Sequence, residues 1–231
     1  MKVRTAHFAI FEAGKEPRAP GLESVFALRY QVYCLDRKFL PAERYPNGLE
    51  RDEFDQFSSH FCAVDKNARA VGAVRLVCPP AGRAFPFQQK FGDLADVDLP
   101  PNALAAEVSR LVVDRNYHRR AGDLPEGVPL RASNAEPLPG RRERRANKPE
   151  IVLGLYRAMY QHSRRRKIRY WYAAMERSLA RALMRYHFQF HRIGPDADYF
   201  GPVALYLASL DDLERGVEEA SPSLLRWFRE N

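Results

Sequence analysis

Glu107, Ser109 and Arg110 lie inside the run AAEVSRLVV, residues 105–113. A carboxylate, a hydroxyl and a guanidinium in a segment otherwise made of Ala, Val and Leu are costly to bury without partners. The chemistry that suits such a carboxylate is proton transfer. Partial burial raises its pKa, and it can then take a proton from an ammonium directly or through a water. Glu107 is the candidate general base; the structural alternative is that it pairs with an arginine at a sheet edge. In a regular strand Glu107 and Ser109 share one face and Arg110 takes the other. The two charges meet only if a bulge re-aims one of them.

The elements that position these residues follow from periodicity. In GLESVFALRYQVYCLDRKF, residues 21–39, Val25, Leu28, Val32 and Leu35 recur at helical spacing. A turn-rich loop follows, with Pro41, Pro46 and Asn47-Gly48. The runs Phe61 to Val64 and Val71 to Cys78 read as a hairpin around DKNA, and 106–113 as a further strand. Residues 79–103 are irregular, with FQQKFGDL as one helical turn. From 121 to 148 the composition turns to Pro, Gly, Glu and Arg, which implies a mobile insertion in a single domain spanning 1–231. Beyond it, PEIVLGLYRAMYQHSRRR is helical, with Ile151, Leu155, Met159 and His162 on one face. KIRYWYAAM is a strand, ERSLARALMRYHF a helix, QFHRIG and VALYLASL short strands, and SPSLLRWFRE a closing helix. Tyr170, Trp171 and Tyr172 are expected to divide between the core and the wall of a substrate tunnel. The fold class implied is α/β, with a mixed sheet, partly antiparallel and partly parallel, between helices.

Composition narrows the partners. The net charge is +8 over 231 residues, which favours nucleic acid, an anionic membrane surface, phosphorylated groups or an acidic protein. Charge alone does not choose among them; no recognisable nucleic-acid motif is present, so a nucleic-acid partner has only the charge behind it, and peripheral membrane contact stays open. Arg119 and Arg120 form one basic cluster, RRRK at 164–167 another, and Arg177, Arg181 and Arg185 a stripe at four-residue steps along one helix. Three scattered cysteines and unpatterned histidines give no disulfide framework and no metal site. No run approaches the roughly 18–20 apolar residues of a membrane span. A cytoplasmic protein is the expectation.

Four short motifs, in order, resemble those of the acyl-homoserine-lactone synthases: LRYQVYCLDRKF, LERDEFDQF with its Glu-x-Asp-x-x-Asp pattern, VGAVRLV and AEVSRLVV. The succession AEVSRLVV, GLYRAMY, YWYAAMERSLARAL and IGPDADYFGPVALY is similar to the acyltransferases associated with exosortase and PEP-CTERM protein sorting, relatives of the N-acyl amino acid synthases. The resemblance covers about residues 20–215. It implies the Gcn5-related N-acetyltransferase fold, with a splayed central sheet and a bulge on the 105–113 strand whose freed amides could act as an oxyanion hole. It also implies that Arg29, Asp52, Asp55, Arg75, Ser109 and Arg110 shape the site, ion pairs fastening the loop after the first helix over the cleft.

Two departures qualify it. Phe39 stands nearest to where the lactone synthases carry a tryptophan. The Gly-rich loop that cradles the pyrophosphate of CoA is replaced by DRNYHRRAGDLPEGV. The donor implied is an acyl-phosphopantetheine thioester on acyl carrier protein, with acyl-CoA as the alternative, and no tightly bound cofactor. Arg119, Arg120, Arg177, Arg181 and Arg185 would then meet the acidic carrier. The expected activity is transfer of a fatty acyl group to the amine of a small acceptor such as an amino acid. A CoA-dependent N-acetyltransferase and a non-catalytic basic binding protein on the same fold are the competing readings.

Overall fold

In chain order the strands and helices are β1 (Lys2–Arg4), β2 (Ala9–Glu12), α1 (Leu22–Tyr30), β3 (Ser58–Val64), β4 (Ala70–Val77), α2 (Gln88–Phe91), β5 (Ala105–Val113), α3 (Lys148–Arg165), β6 (Tyr170–Met175), α4 (Arg177–Met184), β7 (His191–Asp198), β8 (Pro202–Ser209), α5 (Leu210–Ala220) and α6 (Pro222–Arg229). The computed structural model describes residues 2–14, 21–92, 94, 97–117, 148–199 and 201–230. The 121–148 insertion lies outside these residues, apart from Lys148 at the start of α3.

Eight strands form one sheet in the order β1-β2-β3-β4-β5-β6-β8-β7. Every pairing is antiparallel except β5 with β6, as expected of a crossover through α3. The mixed sheet read from the sequence is present. On one face α3 packs Ile151, Leu155 and Met159 into the main core with Phe61, Val74 and Leu76. On the other, α1 covers Cys62, Ala73 and Val112 with Val25, Phe26 and Leu28. Beyond α1 the same face is covered by Phe85 and Phe87, whose rings lie against Tyr172 at 5.3 and 4.7 Å.

Two irregularities set the site. Arg75 stands opposite Ser109 and Ala73 opposite Val112, so Arg110 and Leu111 together face Val74. This is a β-bulge, and Arg110 sits in it with φ of 52°. The bulge advances the alternation by one residue, so Arg110 joins Glu107 and Ser109 on the α1 face while Leu111 packs toward α3. Secondly, the β5–β6 ladder holds only Ala105–Tyr170, Ala106–Trp171 and Glu107–Tyr172. Past Glu107 the two strands part.

Three sequence expectations change. α1 runs into a π-helical turn at Gln31–Asp36; the wider turn shifts the phase, leaving Leu35 45% exposed and turning Cys34 inward. Trp171 and Tyr172 both belong to the core, and the β6 residues that face open space are Ala173, Ala174 and Met175. Finally β1, β2 and α5 have no counterpart in the sequence reading.

Candidate active site

Where β5 and β6 diverge, a cavity of about 490 Å3 passes between them. On the α1 side its wall includes Tyr33, Phe39, Glu107, Ser109 and Tyr199; on the other side it runs between α3 and α4 along Val152, Tyr156, Leu179 and Leu183. One limb, on the α1 side, is polar with Arg75, Glu107, Ser109 and Arg110; the other is lined mainly by aliphatic side chains, with Ser178 and Arg185 among them. Glu107 is the last β5 residue paired with β6 before the strands part. Tyr33 reaches the cavity from the π-turn, a geometry often found at functional sites, and the Arg110 guanidinium lies 5.5 Å from its ring centroid.

Glu107 is 1% exposed. Its Oε2 accepts a hydrogen bond from the Phe87 backbone N–H at 2.9 Å. Burial pushes its pKa up to about 7, against the opposing pull of the Phe87 amide and of Arg75 and Arg110. The Phe87 amide has no signature in the sequence, because it is brought by the irregular 79–103 segment.

Around Glu107 stand three arginines and three carboxylates, joined in one network. Arg29 donates to Glu50 at 2.5 Å and, through Nη1 and Nη2, to both oxygens of Asp55 at 2.7 and 3.2 Å. Arg75 donates to Ser109 Oγ at 3.0 Å, Asp52 at 2.5 Å and Asp55 at 2.8 Å. Arg110 donates to Asp52 at 2.8 Å and to Glu50 at 3.2 Å. Burial tends to raise the Asp52 and Asp55 carboxyls, but Arg75 and Arg110 on the first, and Arg29 and Arg75 on the second, outweigh it and hold both below the ordinary carboxylate range. Removing any one partner strands a buried opposite charge, so the network fixes the loop after α1 against β4 and β5. All six expected residues, Arg29, Asp52, Asp55, Arg75, Ser109 and Arg110, are gathered here. Glu50 is the member that went unremarked, although it is the first glutamate of the quoted Glu-x-Asp-x-x-Asp pattern; a buried Arg29 and Arg110 need it. Arg75 Nη2 is buried with no hydrogen-bond partner.

The basic residues separate. Arg181 on α4 and Arg185 at its C-terminal cap are exposed and have no ion pair among the described residues; Arg185 also borders the cavity. Arg177 is tied to Asp196, and Arg164 to Asp211 and Glu214. Arg119 and Arg120 lie outside the described residues. Cys62 and Cys78 are pushed by burial up to about 12 and about 11, which makes both poor nucleophiles. Among the described residues no cluster of His, Cys, Asp or Glu could hold a metal ion.

Residues 28–124, from α1 through β5, match the family model described as an acetyltransferase (GNAT) domain. The chain has the GNAT fold. Solved structures agree on that fold at low identity. The CoA-dependent acyl-homoserine lactone synthase BjaI, solved with SAM and isopentyl-CoA, superposes with a TM-score of 0.59 at 22% identity over 88% of this chain and 83% of its own. The synthase LasI gives 0.61 at 15% identity, over 93% and 96%. FeeM, an N-acyl amino acid synthase from uncultured soil microbes, gives 0.54 at 11% identity, over 90% and 95%. No curated protein matches the sequence. Within the GNAT fold the bulge and the splay fall beside Glu107, where the sequence argument needed them.

Proposed function

We propose that this acyltransferase forms amides, moving a fatty acyl group from the phosphopantetheine thioester of an acyl carrier protein to the amine of a small acceptor such as an amino acid or its derivative. The observation that carries the reading is Glu107, a buried carboxyl raised to about 7 at the junction of a polar and an apolar limb. A base with that pKa can accept a proton near neutral pH. The acceptor ammonium gives its proton to Glu107, the neutral amine attacks the thioester carbonyl, and the oxyanion forms against backbone amides of β5 freed by the splay. Collapse expels the thiolate, which takes the proton held by Glu107 and leaves as a thiol, and the nitrogen then gives up its remaining extra proton to the freed Glu107 carboxylate, which passes it to solvent.

Arg29, Asp52, Asp55, Arg75 and Arg110, with Glu50, act as positioning residues that keep the polar limb in shape; Ser109 orients Arg75. The unpaired Arg75 Nη2 favours an acceptor bearing a carboxylate. The apolar limb between α3 and α4 favours a fatty chain over acetyl. Arg185 at the cavity wall and the exposed Arg181 one helical turn before it favour an acidic carrier, with Arg177, Arg119 and Arg120 as further contacts. Buried free thiols suit the cytoplasm, and an amphiphilic product would bring the basic surface near a membrane. The motif succession supports membership of the exosortase and PEP-CTERM-associated branch.

Purified protein supplied with long-chain acyl carrier protein and a panel of amines should release free thiol in step with amide. Turnover of acetyl-CoA with none of the carrier-borne substrate would assign CoA-dependent acetyl transfer instead.

A further inference from the structure

The polar residues that α3 turns inward are almost all satisfied. Tyr160 donates to Glu214 at 2.8 Å, Gln161 to the Phe228 carbonyl at 3.1 Å, and Ser163 accepts from the Trp171 indole at 3.0 Å. Arg157 leaves a buried Nε without a partner, and Tyr156 is the exception that belongs to the cavity wall. It is 1% exposed, its ring is held edge-on by Trp171 at 6.0 Å, Phe188 at 5.7 Å and Phe190 at 6.5 Å, and it forms part of the wall of the apolar limb. No hydrogen bond to its hydroxyl occurs among the described residues, and burial pushes its phenol pKa up.

A phenylalanine would fill the same aromatic slot without leaving a polar group unmatched. A hydroxyl held rigidly on the wall of a passage lined mainly by Val152, Leu153, Leu179 and Leu183, with no protein partner among the described residues, has hydrogen-bonding capacity to offer to whatever occupies the passage. On the function proposed above, the occupant is the acyl chain.

We propose that Tyr156 is a specificity-determining residue, and that its hydroxyl selects donors whose acyl chain carries a hydrogen-bonding oxygen, as a hydroxyl or a keto group. A saturated chain leaves the phenol desolvated and unpaired, and a site with a buried polar group discriminates against the ligand lacking its partner. The bond forms with the chain and not at the reacting carbonyl, so it tunes donor choice without taking part in the chemistry.

The test compares dodecanoyl thioesters, unsubstituted or bearing one hydroxyl or keto group at successive chain positions, on the full-length wild type, Tyr156→Phe and Tyr160→Phe. At least one oxygenated isomer should exceed the unsubstituted chain by about tenfold or more in kcat/KM. Tyr156→Phe should bring that ratio close to one, while Tyr160→Phe, whose hydroxyl serves Glu214, keeps it. No preferred isomer in the wild type, or an equal effect of the two variants, would overturn the assignment. If no thioester is turned over, the amide-forming function fails, and the inference is read separately from binding of free dodecanoic and hydroxydodecanoic acids, followed by fluorescence of Trp171 against the Tyr156 ring. Tighter binding of a hydroxy acid that disappears in Tyr156→Phe supports it; equal affinities overturn it.

Discussion

Glu107 holds its proton at a pH where an exposed glutamate has lost it, and two measurable consequences follow. With a folded pKa of about 7 against an unfolded value of 4.5, the folded state binds more protons than the unfolded state between those values. Stability should therefore fall as pH rises from about 4.5 to about 7, by on the order of 3 kcal/mol, and then level off. Urea unfolding at pH 5 and pH 8 measures the slope, which Glu107→Gln should flatten. Asp52 and Asp55 act with the opposite sign: held below 3.8 by their arginines, they contribute stability above that pH and lose it in acid. In turnover, the wild type should show a limb rising with pH to a plateau above about 7, whereas Glu107→Gln should lower kcat/KM about a hundredfold and lose that limb. Near-normal rates in the variant would remove Glu107 from the reaction. Its residue type and apolar surroundings made Glu107 legible in the sequence. The Phe87 amide was not, since nothing local ties residue 87 to residue 107.

The structural elements decide which residues meet. Strict two-residue alternation would have divided Glu107 from Arg110; the bulge at Arg110 and Leu111 reverses that, and no sequence period encodes it. The π-turn likewise broke the helical phase at Leu35, an effect that a constant angle per residue cannot anticipate. α5 escaped notice because its inward Leu210, Leu213 and Val217 sit in the acidic stretch LDDLERGVEEA, whereas Ile151, Leu155 and Met159 announced α3. Arg110→Met should destabilise the fold by about 3–5 kcal/mol, because Glu50 and Asp52 lose a buried partner, with denaturant midpoints as the readout. Gly72 lets α3 approach β4: a Cβ there would stand 2.5 Å from Ile151 Cγ2. Gly72→Ala should accordingly cost about 1–3 kcal/mol by forcing the helix outward, and an unchanged midpoint would show that the contact yields freely.

Over the whole molecule, a net charge of +8 sits around a cavity whose raised-pKa carboxyl, Glu107, is buried. Such a charge steers an acidic partner from a distance and is screened by salt. Reversing Arg181 and Arg185 to glutamate should raise KM for acyl carrier protein at low salt, with little change at high salt; a KM that ignores both mutation and salt would exclude α4 as the docking surface. The charge was readable from composition, but which arginines remain free depended on Asp196 and Asp211 folding back on Arg177 and Arg164. The central claim is amide formation at Glu107. Its most direct test is mass spectrometry of reactions containing long-chain acyl carrier protein and an amino acid panel, with wild type and Glu107→Gln side by side. The account predicts an N-acyl amino acid from the wild type and about a hundredfold less from the variant. Free fatty acid alone, or equal amide from both proteins, would contradict it.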